Sequence, residues 1–97
     1  MIQSFATQGT EDIYNGDNTK AARKTLPRDL WDIAWRKFAL LNAAGAVKDL
    51  AIPPANCLEK LKGNLKGKYS IRINDQYRIV FTFEGGDASD VEVMDYH

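Results

Sequence analysis

The clearest predicted element in the chain is an amphipathic helix over residues 27–44. Its apolar residues recur every three or four positions, which places them along one face of a helix. Pro27 suits the first turn of a helix and Gly45 suits its end. The predicted buried face consists of Trp31, Ala34, Trp35, Phe38 and Leu41. Both tryptophans are therefore expected in the core rather than on a binding surface.

The pattern before that helix is weaker. Residues 1–6 alternate between apolar and polar side chains, which predicts a first strand. Residues 10–15 predict a short helix that ends at Gly16. Residues 16–25 are polar and basic, which predicts a connecting loop.

The second half of the chain alternates in the manner of antiparallel strands. Strands are predicted over residues 69–73 and 77–84, and a third includes Val91 and Val93. The order of the elements predicts an α+β fold in which two N-terminal helices pack on one face of an antiparallel sheet. Residues 1–97 form a single domain in this interpretation.

The register of the first predicted hairpin brings two arginines together. If residues 74–76 form the turn, Arg72 lies directly opposite Arg78. Two like charges in these positions destabilise a sheet. An anion such as a phosphate, bound between or above the two guanidinium groups, would explain the arrangement.

The second hairpin is predicted to close through residues 85–89, which puts Tyr96 opposite Arg78 and His97 at the strand end. A guanidinium, a phenol and an imidazole on one face are suitable groups for cleaving an RNA phosphodiester. An imidazole titrates near neutral pH and can give or take a proton, and Asp95 could orient either proton carrier. The alternative is that these last residues are a frayed end without a catalytic role.

The charge of the chain is balanced in total but unevenly distributed. Residues 59–78 carry six basic side chains against Glu59 and Asp75, a net charge of +4, whereas residues 79–97 carry five acids and no lysine or arginine, a net charge of −5. A basic patch of this kind fits contact with nucleic acid. Solvated strand edges of mixed charge are the alternative. The six basic residues are Lys60, Lys62, Lys66, Lys68, Arg72 and Arg78.

Composition excludes several classes of protein. With 44% hydrophobic and 27% charged residues, the chain is typical of globular domains. No stretch is apolar enough to span a membrane, and residues 1–5 do not resemble a secretion signal. Cys57 alone cannot form an internal disulfide, which suits a reducing cytoplasm, and Cys57 with His97 cannot build a usual zinc site. We therefore expect a cytoplasmic protein without a metal or other cofactor.

Three segments resemble the HigB-type toxins, the plasmid maintenance killer proteins of the RelE/ParE superfamily. Residues 53–63 are similar to the P-P-G-N-x-L-E-x-L-x-G segment of these toxins, and residues 69–79 to their S-I-R-I-N-D-Q-[WY]-R hairpin. Asp95, Tyr96 and His97 match their Asp-Tyr-His ending. The resemblance extends over nearly the whole chain.

The resemblance implies a βααβββ fold and the toxin of a type II toxin–antitoxin system. Such a toxin cleaves mRNA in the ribosomal A site, with attack of a 2′-hydroxyl and without a metal. The implied partners are the 70S ribosome, mRNA and a helix-turn-helix antitoxin of the HigA type. Operator DNA would be contacted only through the antitoxin, and no membrane is involved.

The resemblance also implies roles for individual residues. Arg78 would stabilise the scissile phosphate, Tyr96 and His97 would transfer protons, and Asp95 would assist. Glu59 stands where some related toxins have a histidine, so that an acid, or no catalytic group, takes that place. The resemblance also implies that Lys62 and Arg72 contact RNA phosphates. The charge distribution extends the predicted RNA-binding set to the other lysines of the basic patch, Lys60, Lys66 and Lys68.

Two other functions stay open from the sequence alone. A ParE-like toxin would inhibit DNA gyrase without catalysis, although the Asp95-Tyr96-His97 ending argues against this. A degenerate toxin would stay bound to its antitoxin and act only in autoregulation of the operon. The neutral total charge, Glu59, and Cys57, which stands where an arginine is common in these toxins, keep that second alternative open.

Overall fold

The computed structural model describes residues 1–96, and His97 lies outside the described residues. Within residues 1–96, three α-helices precede the strands: α1 over Gln8–Asn15, α2 over Lys20–Thr25 and α3 over Trp31–Ala43. Short 3₁₀ turns follow the helices or link the strands. They span Arg28–Leu30, Val47–Ala51, Pro54–Asn56 and Gly63–Leu65.

The strands form one four-stranded antiparallel sheet in the order β1-β2-β3-β4. The strands are β1 over Glu59–Lys60, β2 over Tyr69–Arg72, β3 over Tyr77–Glu84 and β4 over Asp87–Asp95. This arrangement confirms the predicted α+β class, with helices on an antiparallel sheet. The segment predicted as a first strand runs parallel to β4 and contacts it through two isolated bridges rather than a continuous ladder.

The prediction of a loop over residues 16–25 is wrong, because this segment contains α2. Thr19 caps the helix by accepting a hydrogen bond from the Ala22 amide, and its hydroxyl donates to Asp12 over 2.6 Å. Ala22 and Leu26 are fully buried. Two inward-facing apolar residues are enough to dock a helix of this length, but they are too few to show a helical period in the sequence.

Helices α1 and α2 pack at very short range because α1 contains Gly9. A Cβ atom at this position would lie 2.7 Å from the carbonyl oxygen of Ala21, closer than such atoms approach in proteins. The absence of a side chain therefore allows the contact. The hydroxyl of Thr10 then ties α1 to the sheet by accepting the Val93 amide proton at 3.1 Å.

The predicted buried face of α3 is confirmed, since Trp31, Ala34, Phe38 and Leu41 are all buried and Trp35 is half-buried. Both indole N–H groups donate to backbone carbonyls. These residues pack on one face of the sheet and form the core with it. The sheet contributes Ile71, Ile73, Ile79, Phe81, Ala88, Val91 and Val93.

The predicted register of the first hairpin is confirmed. Arg72 pairs with Arg78, and the Ile73 amide donates to the Tyr77 carbonyl at 2.9 Å. The side-chain oxygen of Asn74 accepts hydrogen bonds from the amides of Gln76 and Tyr77, which closes the three-residue turn.

The predicted register of the second hairpin is wrong. Its turn holds only Gly85 and Gly86, with φ of 58° and 83°, as a tight primed turn requires. A bulge between Val80 and Thr82 then shifts the register of β4 by one residue. As a result, Met94 rather than Tyr96 lies opposite Arg78.

Candidate active site

The face of the sheet that turns away from the helices carries the predicted arginines. Ile71 and Ile79 point into the core, so their neighbours on β2 and β3 point to the opposite face. Arg72 and Arg78 lie side by side on this face, and Ser70 precedes Arg72 by two residues on the same side. We call this surface the arginine face.

Two oxygen atoms hold the guanidinium of Arg78. Its Nε–H donates to the hydroxyl of Ser70 at 2.8 Å, and Nη2 donates to the backbone carbonyl of Cys57 at 2.5 Å. Ser70 has no exposed surface, so its hydroxyl is a fixed acceptor. The two N–H groups of Nη1 and the second of Nη2 can then bind an anion.

Sequence reasoning missed both of these acceptors. Strand alternation places Ser70 on the same face as Arg72, so a signal for the hydroxyl was present. The carbonyl of Cys57 has no such signal. It is directed by the left-handed conformation of Cys57, with φ of 47°, after the turn Pro54–Asn56. The Cys57 side chain is exposed.

Tyr96 reaches Arg78 although it does not pair with it across the sheet. The Tyr96 ring centroid lies 5.9 Å from Cζ of Arg78, within the range of a cation–π contact, and Tyr96 is 37% exposed. The Tyr96 amide donates to the carbonyl of Gln76 at 2.6 Å. The turn of the first hairpin therefore fixes the backbone that carries the phenol.

Asp95 is placed differently from its predicted neighbours. It lies opposite Tyr77, so strand alternation directs it away from the arginine face. Its carboxylate accepts a hydrogen bond from the side-chain amide of Gln76 at 3.1 Å. The structure thus brings Arg78 and Tyr96 together, whereas Asp95 lies next to Tyr96 in the chain and contacts Gln76. The predicted role of His97 falls outside the described residues.

Arg72 is engaged by a local acid. Its guanidinium forms a salt bridge with Asp75, which lies in the exposed turn of the same hairpin. Arg72 remains half-buried at the base of that turn. Its charge is therefore partly neutralised, whereas the hydrogen-bond partners of Arg78 are uncharged oxygens.

The predicted RNA-binding lysines lie around β1 and the loop that follows it. Lys60, Lys62 and Lys66 are exposed, and Lys68 is half-buried. Lys60 pairs with Tyr69, whose neighbour Ser70 belongs to the arginine face, so register puts Lys60 on the other side of the sheet. Register therefore does not place Lys60 on the arginine face, and the other three lysines belong to the segment between β1 and β2.

Glu59 is the acidic residue that register brings to the arginine face. It pairs with Ser70 across the first two strands, and it is exposed. A carboxylate in this position lies on the same side of the sheet as Arg78. The structure thus gives this predicted candidate a suitable location.

Residues 1–96 contain neither a cluster of metal ligands nor a membrane-spanning helix. In this part of the chain, His, Cys, Asp and Glu side chains do not gather in groups of three or more that could hold a metal ion. None of the helices in the same range is long and apolar enough to cross a bilayer.

Comparison with known proteins identifies the family. Residues 3–97 match the model of the HigB-like toxins, described as the RelE-like toxin of the type II toxin–antitoxin system HigB. The chain belongs to this family. A relative, toxin HigB-1 of Vibrio cholerae serotype O1, is 40% identical over 88 residues, which cover 91% of this chain and 90% of that toxin.

Solved structures of YoeB toxins from Staphylococcus aureus share the fold of this HigB-like toxin. The chain superposes on a YoeB–YefM complex with a TM-score of 0.62 at 18% identity, covering 100% of this chain and 98% of the other. A YoeB dimer gives a TM-score of 0.52 at 26% identity, covering 99% and 94%. The four-stranded sheet with its N-terminal helices is therefore a RelE-like fold.

Proposed function

We propose that this HigB-like toxin is a ribosome-dependent endoribonuclease that cleaves mRNA in the A site. The observation that carries the proposal is the anchoring of Arg78 by Ser70 and Cys57, which leaves a forked set of N–H donors beside the Tyr96 phenol. A phosphate is the anion that such a fork binds best.

The reaction proposed for this site is attack of a ribose 2′-oxygen on the neighbouring phosphorus, without a metal. The 2′-hydroxyl loses its proton to a base, the bond from phosphorus to the 5′-oxygen breaks, and an acid protonates that leaving oxygen. A 2′,3′-cyclic phosphate and a 5′-hydroxyl result. Arg78 would stabilise the extra negative charge that develops on the phosphoryl oxygens in the transition state.

Proton transfer is assigned to Tyr96 and His97, with Asp95 assisting. The position of Tyr96 supports its part, because its ring lies beside Arg78 and would lie close to a phosphate bound there. Asp95 would act indirectly, through the Gln76 amide that also belongs to the turn holding Tyr96. Glu59 is a further acid on the same side of the sheet.

RNA binding is assigned to the basic side chains of residues 60–72. The exposed lysines of this segment can neutralise phosphates of the RNA backbone. Affinity for the programmed ribosome should therefore fall as salt rises. The residues assigned are Lys60, Lys62, Lys66, Lys68 and Arg72.

The biological setting proposed is the cytoplasm, with a cognate helix-turn-helix antitoxin of the HigA type as partner. Membership of a type II toxin–antitoxin family supports the antitoxin, and the structural neighbour YoeB was solved with YefM. Operator DNA would be bound through the antitoxin. Inhibition of translation, and hence of growth, would follow from cleavage of mRNA on the ribosome.

Primer extension on a defined mRNA, with and without programmed ribosomes, tests the proposal. Cuts within the A-site codon that require ribosomes are expected from the wild-type protein and not from Arg78→Ala. Intact mRNA together with trapped gyrase–DNA complexes would overturn the nuclease and favour the ParE-like function. Intact mRNA and harmless overexpression would favour a degenerate toxin.

A further inference from the structure

A groove of about 800 Å³ lies between α3 and the end of β2, next to the arginine face. Its walls come from α3, from the segment around the turn Pro54–Asn56, and from the last residues of β2. The groove is lined by Ile33, Arg36, Lys37, Ala39, Leu40, Pro53, Ala55, Arg72 and Ile73.

The α3 wall is a second apolar face of that helix. Ile33 and Leu40 are seven residues apart and therefore lie on the same side, and both are half-buried. The first apolar face, which contains Phe38, is buried in the core. On the opposite wall Pro53 is exposed, and its neighbour Ile52 is 73% exposed. Exposed aliphatic surface on both walls is typical of a binding groove.

The charged residues that line this groove are all basic. Arg36 is exposed, Lys37 lies one residue further on the helix, and Arg72 stands at the end of β2. The lining residues include no acid. The complementary ligand therefore carries carboxylates or phosphates beside apolar groups.

The aliphatic lining favours a protein segment over RNA. Unpaired bases are usually bound by stacking on aromatic rings or on guanidinium planes. The lining residues include no aromatic ring, and of the two arginines that line the groove Arg72 is paired with Asp75. Aliphatic walls instead suit leucine, isoleucine or valine side chains spaced along one face of a helix. A ligand that combines such a face with acidic residues fits both the walls and the charges.

We propose that this groove binds an acidic, amphipathic segment of the cognate antitoxin. The apolar side chains of that segment would enter between Ile33, Leu40 and Pro53, and its carboxylates would pair with Arg36. The inference rests on the antitoxin partnership proposed above, and it is independent of the nuclease activity.

The test uses the purified toxin and the purified product of the helix-turn-helix gene adjoining the toxin gene. Biolayer interferometry at two salt concentrations would give their Kd. Leu40→Ser and Arg36→Glu are each expected to weaken binding at least about tenfold, a hot-spot effect. Arg36→Glu should also reduce the salt dependence, because it removes a charged contact.

Matched controls lie elsewhere in the chain. Leu65→Ser removes another half-buried leucine, near the opposite end of β2, and Lys24→Glu reverses an exposed cation on α2. Both controls should bind the antitoxin with a Kd within about twofold of wild type. Thermal melts of all four variants establish that each one is folded.

Unchanged antitoxin affinity in both folded groove variants would overturn the proposal. Loss of mRNA cleavage or of RNA cross-linking with full antitoxin affinity would also overturn it and assign the groove to RNA. Self-association of the free toxin that disappears in Leu40→Ser, with antitoxin affinity intact, would overturn the proposal and assign the groove to a second copy of this chain.

Two further outcomes separate this proposal from the proposed function. Weakened antitoxin binding by the groove variants, when the wild-type toxin cleaves no mRNA, would support the groove proposal and overturn only the proposed nuclease activity. Failure of the wild-type toxin to bind the gene product would overturn both the groove and the proposed antitoxin partnership.

Discussion

Arg72 and Arg78 lie directly opposite each other on β2 and β3, but their guanidinium groups have different partners. Arg72 pairs with the carboxylate of Asp75, whereas Arg78 donates to the oxygens of Ser70 and Cys57. Like charges across a strand pair are unfavourable, and Asp75 compensates the charge of Arg72, whereas the oxygens that hold Arg78 are uncharged. Arg78 is thus the better-placed cation for an incoming phosphate.

Two replacements of Arg78 should separate the effect of its positive charge on cleavage from the effect of its forked N–H donors. Arg78→Lys keeps the charge but loses the fork of donors, and Arg78→Ala loses both. We expect the rate of A-site cleavage to fall about 10²–10³-fold in Arg78→Ala, the typical effect of removing a transition-state donor, and to recover only in part in Arg78→Lys. Single-turnover cleavage on programmed ribosomes measures this effect.

The control for Arg78 is a cation outside the site. Arg23→Ala removes an exposed arginine of α2 whose guanidinium donates hydrogen bonds to Asn18, and this variant should cleave as wild type does. A folded Arg78→Ala variant that cleaves at the wild-type rate would contradict the role proposed for this guanidinium.

Ser70 is expected to act on cleavage only through Arg78. Ser70→Ala removes the acceptor of the Nε–H, so the guanidinium is held by one oxygen instead of two. We expect kcat to fall at least about tenfold with little change in KM, because a misplaced group costs rate more than binding. Steady-state cleavage on programmed ribosomes separates the two parameters.

A double-mutant cycle distinguishes this positioning role from a general loss of structure. Ser70→Ala should have no further effect on kcat when Arg78 is already alanine. Ser89→Ala, a half-buried serine on β4, is the matched control and should leave kcat unchanged. Additive losses in the double variant would mean that Ser70 acts independently of Arg78.

The first hairpin could be predicted from the sequence because several local signals agree. Isoleucines at alternate positions identify the core face, and Asn74 supplies the side-chain oxygen that closes a three-residue turn. The second hairpin gave conflicting signals. Gly85 and Gly86 form a two-residue turn. The bulge opposite the segment between Val80 and Thr82 lies near Asp90 on β4 and keeps Val91 in the core. Side-chain alternation alone therefore could not set the register.

The sequence predicted which side chains form the candidate site, but not the backbone groups that hold them in place. Arg78 and Tyr96 were singled out correctly as neighbours, although a cross-strand pair was expected and a contact from beyond the end of β4 was found. The carbonyls of Cys57 and Gln76 hold these two residues. Every residue has a backbone carbonyl, and which carbonyl accepts a side-chain hydrogen bond depends on the path of the backbone. Such an acceptor therefore cannot be identified from the amino-acid sequence.

Asp12 should make stability depend on pH. Hydrogen bonds from Thr19 and then from Gln8 hold the pKa of the Asp12 carboxyl below its usual value of 3.8. Because the pKa is lower in the folded than in the unfolded state, the stabilisation is fully present above the unfolded pKa and is lost as pH falls through the folded pKa.

The measurement for Asp12 is a series of thermal melts between about pH 7 and about pH 2.5, which spans the pKa of the Asp12 carboxyl in both the unfolded and the folded state. Asp12→Asn should lower Tm at pH 7, and the difference from wild type should shrink once the pH drops below about 4. Asp29→Asn, at an exposed position, controls for the change in total charge. A Tm difference that stays constant down to the lowest pH would contradict the assignment.

Gly9 should be the glycine at which a methyl group is least tolerated. An added Cβ would meet the Ala21 carbonyl and the Thr25 hydroxyl, so Gly9→Ala must push α1 and α2 apart. We expect a loss of about 1–3 kcal/mol in the free energy of unfolding, the usual range for overpacking, measured by urea denaturation. Gly45→Ala is the matched control because its nearest neighbour, Asp49, is 3.8 Å away, and its effect should stay within about 0.5 kcal/mol. Equal stability of the two variants would mean that the two helices can separate without cost, and that their close approach does not contribute to the stability of the fold.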